Sequence, residues 1–68
     1  MGSQERIGKN IQKLRKKTGI TQEELADKVG VHVSYISRIE RGVVNSSIEI
    51  LESIAKALKV KSSEILPF

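Results

Sequence analysis

Apolar residues recur at helical spacing through most of this chain and nowhere alternate with polar ones over a strand-length run. The pattern predicts five helices. The first runs from about Gln4 to Thr18, with Ser3 as its cap; Ile7, Ile11, Leu14 and Thr18 keep the i, i+4, i+7, i+11 spacing of one buried stripe. Gly19 ends it as a left-handed C-terminal residue. The second begins after Thr21, which has capping-box spacing to Glu24. It turns Leu25, Ala26 and Val29 inward and stops at Gly30. The third runs from about Val33 to Arg41 and is closed by Gly42; His32, a poor capping residue, precedes it. The fourth starts near Ser46 or Ser47 and reaches about Leu58. Ser46 and Glu49 have capping-box spacing, and Ile48, Leu51, Ile54, Ala55 and Leu58 form its buried stripe. A short fifth helix covers Ser62 to Leu66 and stops at Pro67. The expected fold class is all-α, a compact five-helix domain spanning residues 1–68.

The second and third helices, over about residues 21–41, form the most informative stretch. Two helices that cross steeply come close near their turn. Ala26 supplies the small side chain there, and Gly30 tolerates the positive φ a tight turn needs. Val31 plugs the turn, while Ile36 and Ile39 pin the second of the pair to the core. This is the arrangement of a helix-turn-helix, whose second helix enters a DNA major groove. The same spacing also suits a plain helical hairpin in a small bundle.

The outward face of the third helix helps to separate the two. At 3.6 residues per turn, inward Ile36 and Ile39 leave Ser34, Ser37, Arg38 and Arg41 outward, with Val33 and Tyr35 on the flanks. Glu40 sits towards the buried boundary. An acid-free face with two arginines, hydroxyls and a tyrosine suits a groove lined by phosphates and base edges. Charge adds to this. The net charge is +4, and Arg6, Lys9, Lys13, Arg15, Lys16 and Lys17 crowd the first 17 residues against a single acid, Glu5. A basic segment favours a polyanion, although basic helix faces are also common simply as solvated surface.

Other chemistry finds little support. A core in a chain of 68 residues rarely contributes more than ~3–5 kcal/mol, so deep substrate pockets are not expected. There is no cysteine, hence no disulfide framework or thiolate metal site. One histidine and one isolated aspartate make neither a metal cluster nor a nucleophile–base pair. His32 would have no partners as a metal ligand. No cofactor, metal or small-molecule ligand is expected, and no enzyme activity. No apolar stretch approaches the roughly 20 residues of a membrane span. One tyrosine and one phenylalanine are too few to stack single-stranded bases.

The sequence resembles the lambda-type phage repressor and Cro family of helix-turn-helix domains. The likeness is carried by Ile7-Gly8, Ile11 through Leu14-Arg15, Gly19-Ile20-Thr21-Gln22-Glu23-Glu24-Leu25-Ala26, Gly30-Val31, Ile36-Ser37-Arg38-Ile39-Glu40-Arg41-Gly42, and Leu51, Ile54-Ala55, Ala57-Leu58 and Val60. Tyr35-Ile36-Ser37 with Glu40-Arg41 looks especially like the controller proteins of restriction-modification systems. The resemblance implies a DNA-binding transcriptional regulator that acts as a two-fold dimer on an inverted repeat, cytoplasmic and of bacterial, archaeal or phage origin. It implies a salt bridge between Arg15 and Glu40, and a phosphate contact from Gln22 at a helix N-terminus, where free N–H groups favour an anion.

By the same resemblance Val33, Ser34, Ser37 and Arg38 occupy base-reading positions, and Tyr35 on the flank is added to them. Phosphate contacts are expected from Lys13, Thr21, Gln22, His32, Arg41 and Asn45. Several residues depart from the family pattern. Val33 replaces a long polar reader and can only touch a thymine methyl. His32 replaces a serine or threonine cap. Val43 and Val44 occupy a loop that is usually polar or basic, and Ser46 replaces a common proline. Ile50, on the polar side of the fourth helix, joins Val43, Val44, Leu66 and Phe68 as surplus apolar surface, from which Ile50, Leu66 and Phe68 are expected at a dimer interface. Scattered surface hydrophobes are the plainer explanation. Val43, Val44, Ile50 and Phe68 support an alternative function, a protein-interaction module of antitoxin or coactivator type that uses the fold as scaffold.

Overall fold

Glycines in the left-handed conformation stop three of the helices, as their positions predict: Gly19 at φ 83°, Gly30 at φ 84° and Gly42 at φ 74°. The computed structural model describes residues 2–67. It contains α1 (Ser3–Thr18), α2 (Gln22–Val29), α3 (Val33–Arg41) and α4 (Ile48–Leu58), followed by a single 3-10 turn, Ser62–Glu64. The predicted fifth helix is therefore corrected to one turn. Leu66 N–H bonds Ser62 O at 3.0 Å, and Pro67 then disfavours helical geometry at Leu66 and offers no N–H of its own. α4 ends on Lys59, the only non-glycine residue with positive φ (58°) among the described residues, a conformation that costs roughly 1–2 kcal/mol for an L-residue.

The helix starts also refine the sequence reading. α1 begins one residue early, with Gly2 as its cap, because the Glu5 carboxylate accepts the Gly2 N–H at 3.2 Å. Thr21 and Glu24 close the expected capping box at the start of α2. The Thr21 backbone N–H, and after it the Thr21 side chain, hold the Glu24 carboxyl below the ordinary glutamate range. His32 does cap α3: its ring nitrogen accepts from Ser34 N–H. Ser47 caps α4 by accepting from Ile50 N–H at 3.2 Å, so the Ser46–Glu49 spacing is not used.

Ile11, Leu25, Ala26, Ile36, Ile39, Leu51, Ile54, Ala55, Leu58 and Ile65 form the core. Every helix contributes, and Ile65 closes the far end, its carbonyl held by Asn10 Nδ2 at 2.8 Å. Three positions are corrected. Thr18 is exposed and its hydroxyl turns back to Leu14 O at 2.7 Å. Ile48 is 55% exposed. It is the first residue of α4, and helical side chains lean towards the N-terminus, which carries it past the end of the core. Ile50, expected on the polar side, is half-buried against the core. No helix of the described residues is long and apolar enough to cross a membrane.

Two features bind α1 to α3. The first is Gly8, which is buried. A Cβ there would lie 2.4 Å from Ile39 O and 2.6 Å from Glu40 O, so the two backbones meet at this point. The second is the pairing of Arg15 with Glu40. Arg15 Nε donates to Glu40 Oε2 at 2.6 Å and Nη2 donates to Oε1 at 3.1 Å. Arg15 Nη1 donates to Ile20 O at 2.9 Å, and Gln22 Nε2 donates to Glu40 Oε1 at 2.9 Å. The side chains are 11% and 1% exposed. No buried side-chain polar atom among the described residues is left without a partner.

Gly8→Ala should force α1 off α3 and cost about 1–3 kcal/mol, lowering the melting temperature by roughly 4–8 °C for each kcal/mol. An unchanged thermal transition would show that the backbones do not meet there. Glu40→Ala should strand the Arg15 charge at a cost of about 3–5 kcal/mol, comparable with the whole stability expected at this size. Circular dichroism should then show no cooperative unfolding at 25 °C, and a variant melting within a few degrees of wild type would contradict this.

Candidate nucleic-acid interface

The buried side of α3 carries Ile36, Ile39 and Glu40. That choice leaves Ser34, Arg38 and Arg41 exposed, in one i, i+4, i+7 row along the outer face. Ser37 is half-buried beside the row. Val33 and Tyr35 are half-buried and packed against the core, so much of each side chain is already occupied. With Glu40 turned inward, the exposed row carries two guanidinium groups and no acid.

His32 leads into this face. Its Nδ1 accepts from Ser34 N–H at 3.2 Å and lies 2.9 Å from Ser34 Oγ. The ring is exposed.

The start of α2 lies beside α3, joined to it through the Gln22–Glu40 hydrogen bond. A side-chain amide has two N–H donors, so Gln22 keeps one after bonding Glu40. Thr21 N–H is taken by Glu24 Oε1 at 2.9 Å, and Glu24 N–H by Thr21 Oγ1 at 3.0 Å. The backbone amides of Gln22 and Glu23 have no partner among the described residues. Free amides at the positive end of a helix suit a phosphate oxygen.

Asn45 follows α3 in an exposed loop, where its side-chain oxygen accepts from Gln4 Nε2 and ties the loop to the start of α1. Its own amide donors remain for another acceptor. Lys13 is placed differently. It is exposed and lies about 200° around α1 from Arg15, which meets α3, and so on the side turned away from that helix. The structure therefore brings Thr21, Gln22, His32, Ser34, Arg38 and Arg41 onto two adjoining elements and leaves Lys13 outside that group.

The apolar surface is also redistributed. Ile50 and Leu66 are half-buried against this chain's own core. Phe68 lies outside the described residues. Among the described residues the large exposed hydrophobic side chains are Val43 at 61% and Ile48 at 55%. Sequence reasoning placed Ile48 in the core, although its position directly after a capping serine marks it as a first helical residue. The link from Gln22 to Glu40 was also missed, and no spacing in the sequence signals it.

Comparison with known proteins agrees with this geometry. The sequence signature of the helix-turn-helix family matches residues 11–65. The chain is 40% identical over 63 residues to control protein C.BamHI of Bacillus amyloliquefaciens, covering 91% of this chain and 78% of that protein. It is 43% identical over 61 residues to the HTH-type transcriptional regulator SinR of Bacillus subtilis (strain 168), covering 88% of this chain. It spans only 55% of that longer regulator. Among solved structures it matches the restriction-modification controller protein C.AhdI of Aeromonas hydrophila with a TM-score of 0.88 and 32% identity, covering 91% of this chain and 94% of the other. The chain belongs to the helix-turn-helix family of lambda-repressor and Cro type.

Proposed function

We propose that this domain is a sequence-specific, double-stranded DNA-binding transcriptional regulator that docks α3 in the major groove. The observation that carries the reading is the acid-free row of Ser34, Arg38 and Arg41, beside amides at the start of α2 that have no partner among the described residues. Arg38 reads a base edge by its planar pair of donors, with Ser34 and Ser37 beside it, and Val33 and Tyr35 contribute apolar contact at the flanks. Thr21, Gln22, His32, Arg41 and Asn45 position the domain on phosphates. Lys13 contributes only long-range attraction. The role is binding and not catalysis, and a cytoplasmic setting suits it. The names of the relatives, a control protein and a transcriptional regulator, point the same way.

In this reading two copies dock on an inverted repeat with half-sites about one helical turn, roughly 34 Å, apart. The exposed Val43 and Ile48, with the half-buried Ile50 and Leu66, support an apolar contact between copies. Val43 and Ile48 also support the second reading, a protein-interaction module. Co-purification with another protein and no duplex affinity at low salt would favour that reading.

If a dimer neutralises about 6–10 phosphates, log affinity should fall against log salt with a slope near −5 to −9. A flat response would contradict DNA binding. Arg38→Ala should cost about 1–3 kcal/mol at one base pair, whereas Arg41→Ala should weaken specific and random duplexes alike. Equal losses on both duplexes for Arg38→Ala would remove it as a base reader.

A further inference from the structure

One nitrogen of His32 serves two groups of Ser34. Nδ1 accepts the Ser34 backbone N–H at 3.2 Å and stands 2.9 Å from Ser34 Oγ. A backbone amide always carries its proton, so Nδ1 must be bare and the ring proton must sit on Nε2. A hydroxyl 2.9 Å from a bare lone pair is held there only if the hydroxyl donates. The Ser34 proton is then turned back onto the ring, and Oγ meets any incoming group with lone pairs alone.

This changes what Ser34 can recognise. A serine hydroxyl that rotates freely serves donors and acceptors on a base edge alike. With its proton committed it can only accept. In the major groove adenine N6 and cytosine N4 are donors, whereas guanine O6 and N7 and thymine O4 only accept and would face a lone pair. We propose that His32 is a positioning residue that makes Ser34 an acceptor-only reader, selecting adenine or cytosine at the base that Ser34 faces. The inference rests on the DNA-binding reading above. It also gives a reason for histidine at a capping position where serine or threonine is the better capping residue.

The test joins nitrogen NMR of the neutral His32 ring in the free protein to selection of bound sites from a random duplex library. Wild type, His32→Gly and Ser34→Ala are selected in parallel. Glycine is itself a tolerated N-cap, so His32→Gly frees the hydroxyl while keeping the helix start. The expected ring is the Nε2–H tautomer. Wild type should enrich adenine or cytosine at one position of each half-site by about fivefold. His32→Gly should weaken binding to all duplexes alike through the lost phosphate contact and, in the sites still selected, spread that one position over all four bases while the preferences at the other positions keep their order; Ser34→Ala should lose the same position. An Nδ1–H ring, or a His32→Gly site identical to that of wild type, overturns the inference and leaves DNA binding standing. Should His32→Gly not fold, enrichment of guanine or thymine at the position lost in Ser34→Ala overturns the inference on its own. Failure of wild type to enrich any sequence overturns the DNA-binding reading itself, and this inference with it.

Discussion

A guanidinium and a carboxylate withdrawn from water hold this domain together. Burying Arg15 and Glu40 costs several kcal/mol per ion, and attraction between them offsets that only when the remaining hydrogen-bonding capacity is filled. Here it is filled. Glu40 takes two bonds from Arg15 and one from Gln22, and the third arm of the guanidinium reaches Ile20 O. The network therefore touches α1, the loop before α2, the first residue of α2, and α3. Separating α1 from α3 would strand a buried charge, and moving Ile20 or Gln22 would leave part of its hydrogen-bonding capacity unfilled.

The exposed face of α3 depends on this constraint. Glu40 points inward because Arg15 waits for it there, and the geometry of the helix then turns Ser34, Arg38 and Arg41 outward. The same carboxylate anchors Gln22, so the amides at the start of α2 and the outer row of α3 are held as one surface. Gly8 adds a steric limit: the backbone of α1 lies so close to Ile39 and Glu40 that no side chain fits between them. A charge contact and a backbone contact thus fix the same pair of helices at neighbouring points. Preorganisation of this kind lowers the ordering cost of docking on a rigid duplex.

Much of this was legible in the sequence because the signals were local. Gly19, Gly30 and Gly42 mark helix ends by their chemistry alone, and Thr21 with Glu24 marks a start. The inward face of α3 followed from Ile36 and Ile39. Long-range facts were harder. The ion pair of Arg15 and Glu40 came only through family resemblance, since 25 residues separate the partners. The bond from Gln22 to Glu40 and the close approach at Gly8 had no signal of their own, because both depend on how helices pack. At the ends of elements, periodicity failed in a definable way. Ile48 fits the stripe of α4 by angle, yet its side chain leans off the end of the core. The last helix shrank to one turn because Pro67 stands too near.

The central claim is that the surface assembled around Glu40, from the start of α2 and the outer row of α3, is where a duplex docks. Titrating isotope-labelled protein with a short selected duplex, followed by NMR, tests it most directly. The largest shift changes should fall on Thr21 to Glu23, the Gln22 side-chain amide and the residues from His32 to Arg41. Changes centred on Val43, Ile48 and Leu66 with α3 unaffected would contradict the account and favour a protein partner on the apolar surface.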